Sequence, residues 1–387
     1  MADRGSEMDY DNGSGEAQSP WRTPLFIAWI SFLALLVVLT LALWLFGNPN
    51  GARQIVTVAL EGVEALDAGI GDKGDVPKST GVDIPGGHGP GADGASDHDA
   101  AHTAEGGAPA KIKEVIIDPE TGALPKVPDP DLVRQGKYGP LPQVASDGRN
   151  AAHVYARPFG SAKGQPKIAL MIGGMGLSKT ATELAIRELP PEVTLSFAPY
   201  PDELQRHVNL AREAGHEVML QLPMEPFDYP QNDPGHHTLL TTQPVRKNMD
   251  DLDWLLSRVT GYAGVSNYLG AKFTSSKGSL KPVIETVEKY GLFYVDDGSS
   301  QRSVTADVVR EFELGFALAD RTIDARPSRT GIELKLLELE EVARANGTAL
   351  GVGALPYPVT IKTVRDWADT LPEKGLVLAP VSAIINK

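Results

Sequence analysis

Ionisable and amide side chains gather in three short segments of the C-terminal half: Glu225 to Asp228, Asn267-Tyr268 with Lys272, and Asp296-Asp297 with Arg302. Carboxylates beside Lys, Tyr and Arg are the residue types that move protons or grip the hydroxyls of a polyol. If the three segments meet, Asp296 or Asp297 is the expected base and Tyr268 or Lys272 its proton partner, with Glu225, Asp228, Asn267 and Arg302 holding a substrate. The same residues could equally form a salt-bridged rim that only fixes loops.

Other chemistries fare worse. The chain has no Cys, which removes disulfides, thiolate zinc sites and a Cys nucleophile. Around Ser266, the run Gly264-Val265-Ser266-Asn267-Tyr268 lacks the second glycine of a nucleophile elbow, and no histidine follows it to complete a Ser…Asp…His order. Gly173-Gly174-Met175-Gly176-Leu177-Ser178-Lys179-Thr180 approximates a phosphate-binding loop, and 293–297 its magnesium-binding strand, but Ser178 stands where a glycine should precede the lysine. Nucleotide binding is therefore a distant third reading. His236-His237 reads as loop surface rather than as a displaced metal site, and no cofactor is expected.

The elements that must position these residues alternate. Short apolar runs at 168–172, 194–198, 217–222, 264–267, 292–296, 316–319, 348–353 and 377–381 read as strands. Amphipathic stretches at 179–188, 201–214, 249–258, 281–290, 304–312, 332–346 and 361–370 read as the helices between them. That pattern predicts an α/β fold, a single distorted β/α barrel of seven or eight strands over 167–387. In such a fold the chemistry lies beyond the carboxyl ends of the strands, where the three segments fall.

The strand-end blocks GHEVMLQLPMEP, SNYLGAKFT and LFYVDDGSS, in this order, resemble the divergent polysaccharide deacetylase family, from about Lys167 to the C-terminus. The resemblance implies a barrel of the glycoside hydrolase/deacetylase type, an envelope location and hydrolysis of acyl groups on a glycan by a bound divalent metal. It also implies that Gly173-Gly174 stand where relatives carry an Asp-Asp pair, and that Gln221, Tyr268 and Leu355 stand where they carry histidine. Metal ligands are thus missing, and Gln221 joins the substrate-binding candidates. Two readings remain open: a hydrolase with a changed, metal-free mechanism, and a non-catalytic glycan- or protein-binding pseudo-deacetylase.

Upstream, 25–46 is a run of 22 uncharged residues, LFIAWISFLALLVVLTLALWLF, long enough to span the roughly 30 Å hydrocarbon core. Trp21, Trp29 and Trp44 fit the interfacial aromatic belts. Residues 1–24 are then a cytoplasmic tail, 47–110 an acidic Gly/Ala/Pro-rich tether, and 111–166 an extended Pro-rich arm. Residues 1–150 carry 11 Lys+Arg against 21 Asp+Glu, whereas 151–387 carry 25 against 29, so most of the net −14 lies outside the barrel. An acidic chain without a basic block repels phosphate backbones, which excludes nucleic acid as a partner. The sequence thus points to a single-pass inner-membrane protein whose periplasmic domain meets peptidoglycan or another envelope polysaccharide.

Overall fold

The computed structural model describes Asp118 and residues 122–160 and 164–385. The tail 1–24, the expected membrane helix 25–46 and the tether 47–110 lie outside these residues, and among the described helices none is long and apolar enough to cross a membrane.

The described chain begins with a short hairpin, β1 (Val133–Gln135) against β2 (Pro140–Pro142), and a single turn, α1 (Ala151–Val154). Nine further strands follow: β3 (Lys167–Met175), β4 (Thr194–Phe197), β5 (Val218–Met224), β6 (Gly264–Leu269), β7 (Phe293–Asp296), β8 (Phe316–Leu318), β9 (Arg321–Thr322), β10 (Thr348–Gly353) and β11 (Val377–Ala379). The helices between them are α2 (Lys179–Glu188), α3 (Leu204–Glu213), α4 (Val245–Leu256), α5 (Lys277–Lys289), α6 (Thr305–Val309), α7 (Arg329–Asn346) and α8 (Pro358–Ala368).

All nine strands run parallel, in the order β8-β7-β6-β5-β4-β3-β10-β9, with β11 beside the start of β3. The two ends of this path, β8 and β9, are consecutive in sequence and separated only by Ala319-Asp320. The sheet therefore curls into a half-barrel whose two margins share one bent run of chain, rather than closing through a strand of its own. That run is where the expected register failed. Residues 316–319 read as one strand followed by a polar stretch, yet the backbone continues past Asp320 and pairs Arg321 and Thr322 with Gly351 and Val352. Asp320 makes the change of partner possible, since its carboxylate accepts from the Leu350 amide at 2.8 Å.

Strand interiors such as 168–172 and 218–220 are buried on both faces, as expected of parallel strands covered by helices. Helix ends moved more than strand cores. The N-terminus of α5 lies at Lys277, before Pro282, because a proline one turn into a helix forfeits a single ladder bond and leaves the earlier turn intact. Helix α4 likewise begins at Val245 rather than 249, and α6 stops at Val309.

The Pro-rich segment before the sheet is not simply extended, since it contains the hairpin and α1, and Leu132, Leu141 and Tyr155 enter the main core. Arg212, itself 2% exposed, fastens it by donating to the carbonyls of Tyr155 (2.9 Å), Pro125 (3.1 Å) and Gly261 (3.3 Å). Burial lowers this guanidinium's pKa to about 10, which is still far above neutrality, so the fastening is charged.

Candidate functional site

At the carboxyl ends of the strands the side chains form three groups, each closed by hydrogen bonds. The first lies where β3 meets β5 and β10. Strand β3 does not end at Ile172. It runs to Met175 through Gly173 and Gly174, with a register shift against β4 between Ile172 and Met175. Gly174 has φ +65°, a left-handed conformation that favours glycine, and its amide donates to Gln221 Oε1 at 2.9 Å. A β-carbon on Gly173 would stand 2.7 Å from Gln221 Nε2, and one on Gly174 would overlap the Leu355 side chain. Asp324, 3% exposed, holds the opposite wall in place by accepting from the Ala354 amide at 2.7 Å.

That arrangement decides the fit of a divalent metal. The side chains at this spot are the Gln221 carboxamide, the Leu355 side chain and the Asp324 carboxylate, which the Ala354 amide engages; a carboxylate at 173 or 174 would have to displace Gln221 or Leu355. Among the described residues no group of three or more His, Asp or Glu side chains could hold a metal ion. The residues present do not fit the metal that the resemblance implies.

The second group joins the ends of β5 and β6. Glu225 is 3% exposed and accepts from Lys272 Nζ at 2.8 Å and from the amide and hydroxyl of Thr241, both at 2.6 Å. Burial acts to raise this carboxyl, but the Lys272 ammonium and the Thr241 donors outweigh it and hold the group below the usual carboxylate range. The Glu225 carbonyl also takes the amides of Lys272 and Phe273 at 3.1 Å each. With both carboxylate oxygens engaged, Glu225 is a staple that closes the base of the loop from 226 to 240.

The third group spans β6 and β7. Asn267, 1% exposed, takes the Asp297 amide on Oδ1 at 2.9 Å, and its Nδ2 donates to Asp297 Oδ1 at 2.6 Å and to the Leu269 carbonyl at 2.7 Å. Leu269 itself has φ +57°, an uncommon conformation for a non-glycine residue and one that clusters at functional sites. Asp297 also accepts from the Ser299 amide at 2.8 Å, yet burial prevails over these bonds and raises its pKa to about 6. Asp296 faces elsewhere: its two oxygens accept from the Gly298 amide (2.9 Å) and the Ser303 hydroxyl (2.6 Å), so it shapes its own loop.

Strand register explains the division. Gln221 pairs with Ser266, and Ser266 with Val295, placing these three on one face; Leu222 and Asn267 form the next rung, on the other. Of the residues expected to converge, Asn267 bonds Asp297 and, in a separate group, Glu225 bonds Lys272. The convergence does not extend to Gln221, which belongs with Gly174, nor to Asp228 and Arg302, which are exposed. Tyr268 is half-buried beside this rim and makes no side-chain hydrogen bond among the described residues. Two amides of the phosphate-loop-like segment, those of Gly174 and Gly176, are taken by Gln221 and by Thr182 Oγ1 (2.8 Å). Residues that sequence reasoning passed over include Asp324, Thr241 and Asp251; only Asp324, just beyond a strand end, carried a positional signal.

The described domain is thus an α/β half-barrel of parallel strands with its polar groups at the carboxyl strand ends. Residues 170–385 match the divergent polysaccharide deacetylase family, and the chain belongs to it. Protein ATU2773 from Agrobacterium tumefaciens C58 is similar at 40% identity and a TM-score of 0.62, with 64% of this chain and 99% of that one covered. Protein YibQ of Escherichia coli (strain K12) is 23% identical over 237 residues, 57% of this chain and 68% of that protein. The catalytic domain of peptidoglycan N-acetylglucosamine deacetylase from Eubacterium rectale ATCC 33656 is similar at 13% identity and a TM-score of 0.39, with 57% and 92% covered.

Proposed function

We propose that this chain serves carbohydrate metabolism of the cell envelope as a polysaccharide-binding deacetylase relative that works without a metal centre. The observation that carries the proposal is the contact of Gly173-Gly174 with Gln221 and Leu355, at positions where the family resemblance implies metal-binding carboxylates and imidazoles. The uncharged run 25–46 supports a single-pass inner-membrane anchor that presents the domain to peptidoglycan in the periplasm.

Asp297 favours a second reading. A half-buried carboxyl with a pKa raised to about 6 is poised for general acid–base work at neutral pH, and metal-free removal of an acyl group would use it as base toward water. The two readings part in one experiment on the full chain: metal content, saturation binding of N-acetylated glycan oligomers, and acetate release, each with and without a chelator. Saturable binding with no acetate supports the binding protein, and chelator-resistant acetate release lost in Asp297→Ala supports the metal-free hydrolase. Acetate release that stops with chelator and returns with zinc overturns both.

A further inference from the structure

The loop closed by Glu225 carries a cleft outside the three groups above. It has a volume of about 440 Å³, within the ordinary range for small-ligand sites, and Tyr229, Asp233, His237, Lys247 and Asp251 contribute to its wall. His237 is its best-fixed member. The Nδ1 atom lies 2.7 Å from Asp251 Oδ1, and Asp251 is 2% exposed, so the carboxylate fixes the ring. The imidazole stacks on Trp254 with centroids 4.0 Å apart and planes 20° from parallel. The backbone of His237 has φ +61°, held by the ladder that ties Leu239 to Pro223 and Glu225.

With the ring neutral and its Nδ1–H directed at Asp251, Nε2 is an acceptor for which the described residues supply no partner. Lys247, one turn before Asp251 on α4, is bonded to the same carboxylate oxygen, and its side chain remains 52% exposed. Against this single ammonium stand the carboxylates of Asp233 and Asp251, so the wall repels anions, and it lacks the cluster of ligands a metal needs. Interleaved acceptors (His237 Nε2, Asp233) and donors (Lys247, Tyr229) suit a neutral, hydroxyl-rich ring.

We infer that this cleft is a second carbohydrate subsite, taking one pyranose ring of a polysaccharide through its hydroxyls, with His237 Nε2 accepting from one of them. The assignment rests on the polysaccharide reading above. Titration of the full chain with neutral N-acetylglucosamine oligomers of increasing length, followed by calorimetry and by the ¹⁵N resonances of its histidines, tests it. His237→Asn keeps a residue that tolerates the left-handed backbone and removes Nε2, and should weaken binding by about tenfold, the worth of one well-formed hydrogen bond. Lys247→Met, on an exposed side chain, should weaken it by about threefold and serves if the first variant does not fold. The His237 Nε2 resonance should move saturably with ligand. If Asp297→Ala weakens binding while both cleft variants bind like the parent, the subsite is overturned and the strand-end site stands. If no oligomer binds the full chain, the polysaccharide reading falls and the subsite with it. Preference for an anionic uronate oligomer over the neutral one would refute the charge argument.

Discussion

Replacing Gly174 with alanine probes the close contact of β3 with Gln221 and Leu355 on which the metal-free proposal rests. Two costs arise from different causes. The backbone at φ +65° carries a penalty of about 1–2 kcal/mol for any residue with a β-carbon. The added methyl also overlaps the Leu355 side chain and lies 3.3 Å from the Ala354 carbonyl, and forcing such an overlap costs typically about 1–3 kcal/mol. Gly174→Ala should therefore destabilise the full chain by about 2–5 kcal/mol in urea unfolding. Leu355→Ala removes the overlap but not the backbone penalty, so the double variant should recover about 1–3 kcal/mol relative to the sum of the single changes. A neutral Gly174→Ala, or costs that add without coupling to Leu355, would show that leucine does not occupy this space and that a ligand-bearing side chain could stand there.

Three further outcomes follow from the same contacts. Because burial raises Asp297 from 3.8 to about 6, the folded state favours its protonated form; this group's contribution to stability is fully present below pH 3.8 and about 1–3 kcal/mol of it should be lost as pH rises through 6, a loss that Asp297→Asn abolishes in pH-dependent unfolding. Lys272→Met leaves the buried Glu225 carboxylate with only Thr241, and should destabilise by about 1–3 kcal/mol while speeding amide exchange at Leu239 and Thr241. His207, buried on α3 with neither ring nitrogen bonded, has its pKa lowered first by burial, so stability should drop as pH falls below 6.5; His207→Leu should remove that dependence and be neutral or stabilising in thermal unfolding.

Much of the fold could be read from the chain because parallel strands covered on both sides are continuous apolar runs, as 168–172 and 348–353 are, and because Gly347 and Gly375 mark helix and turn ends with φ +83° and +69°. What escaped reading was set by tertiary partners. Nothing local in Ala319-Asp320 shows that the chain exchanges one strand partner for another, and Gly173-Gly174 looks like a turn until Gln221 and Leu355 are seen pressed against it. The site was legible as residue types and only partly as roles. Glu225 was rightly placed at the strand ends, but its engagement with Thr241 depends on a loop returning sixteen residues later. Asn267 and Asp297 are brought together where the chain leaves β7, by the hydrogen bonds of the Asn267 carboxamide, which sequence spacing does not encode. His237 looked like loop surface because its partner, Asp251, lies on the following helix.

The proposal that the strand ends work without a metal centre is checked by acetate release from N-acetylated glycan oligomers by the full chain, measured with added zinc and with a chelator. No zinc-dependent turnover is expected; release that zinc restores after chelation would overturn the proposal.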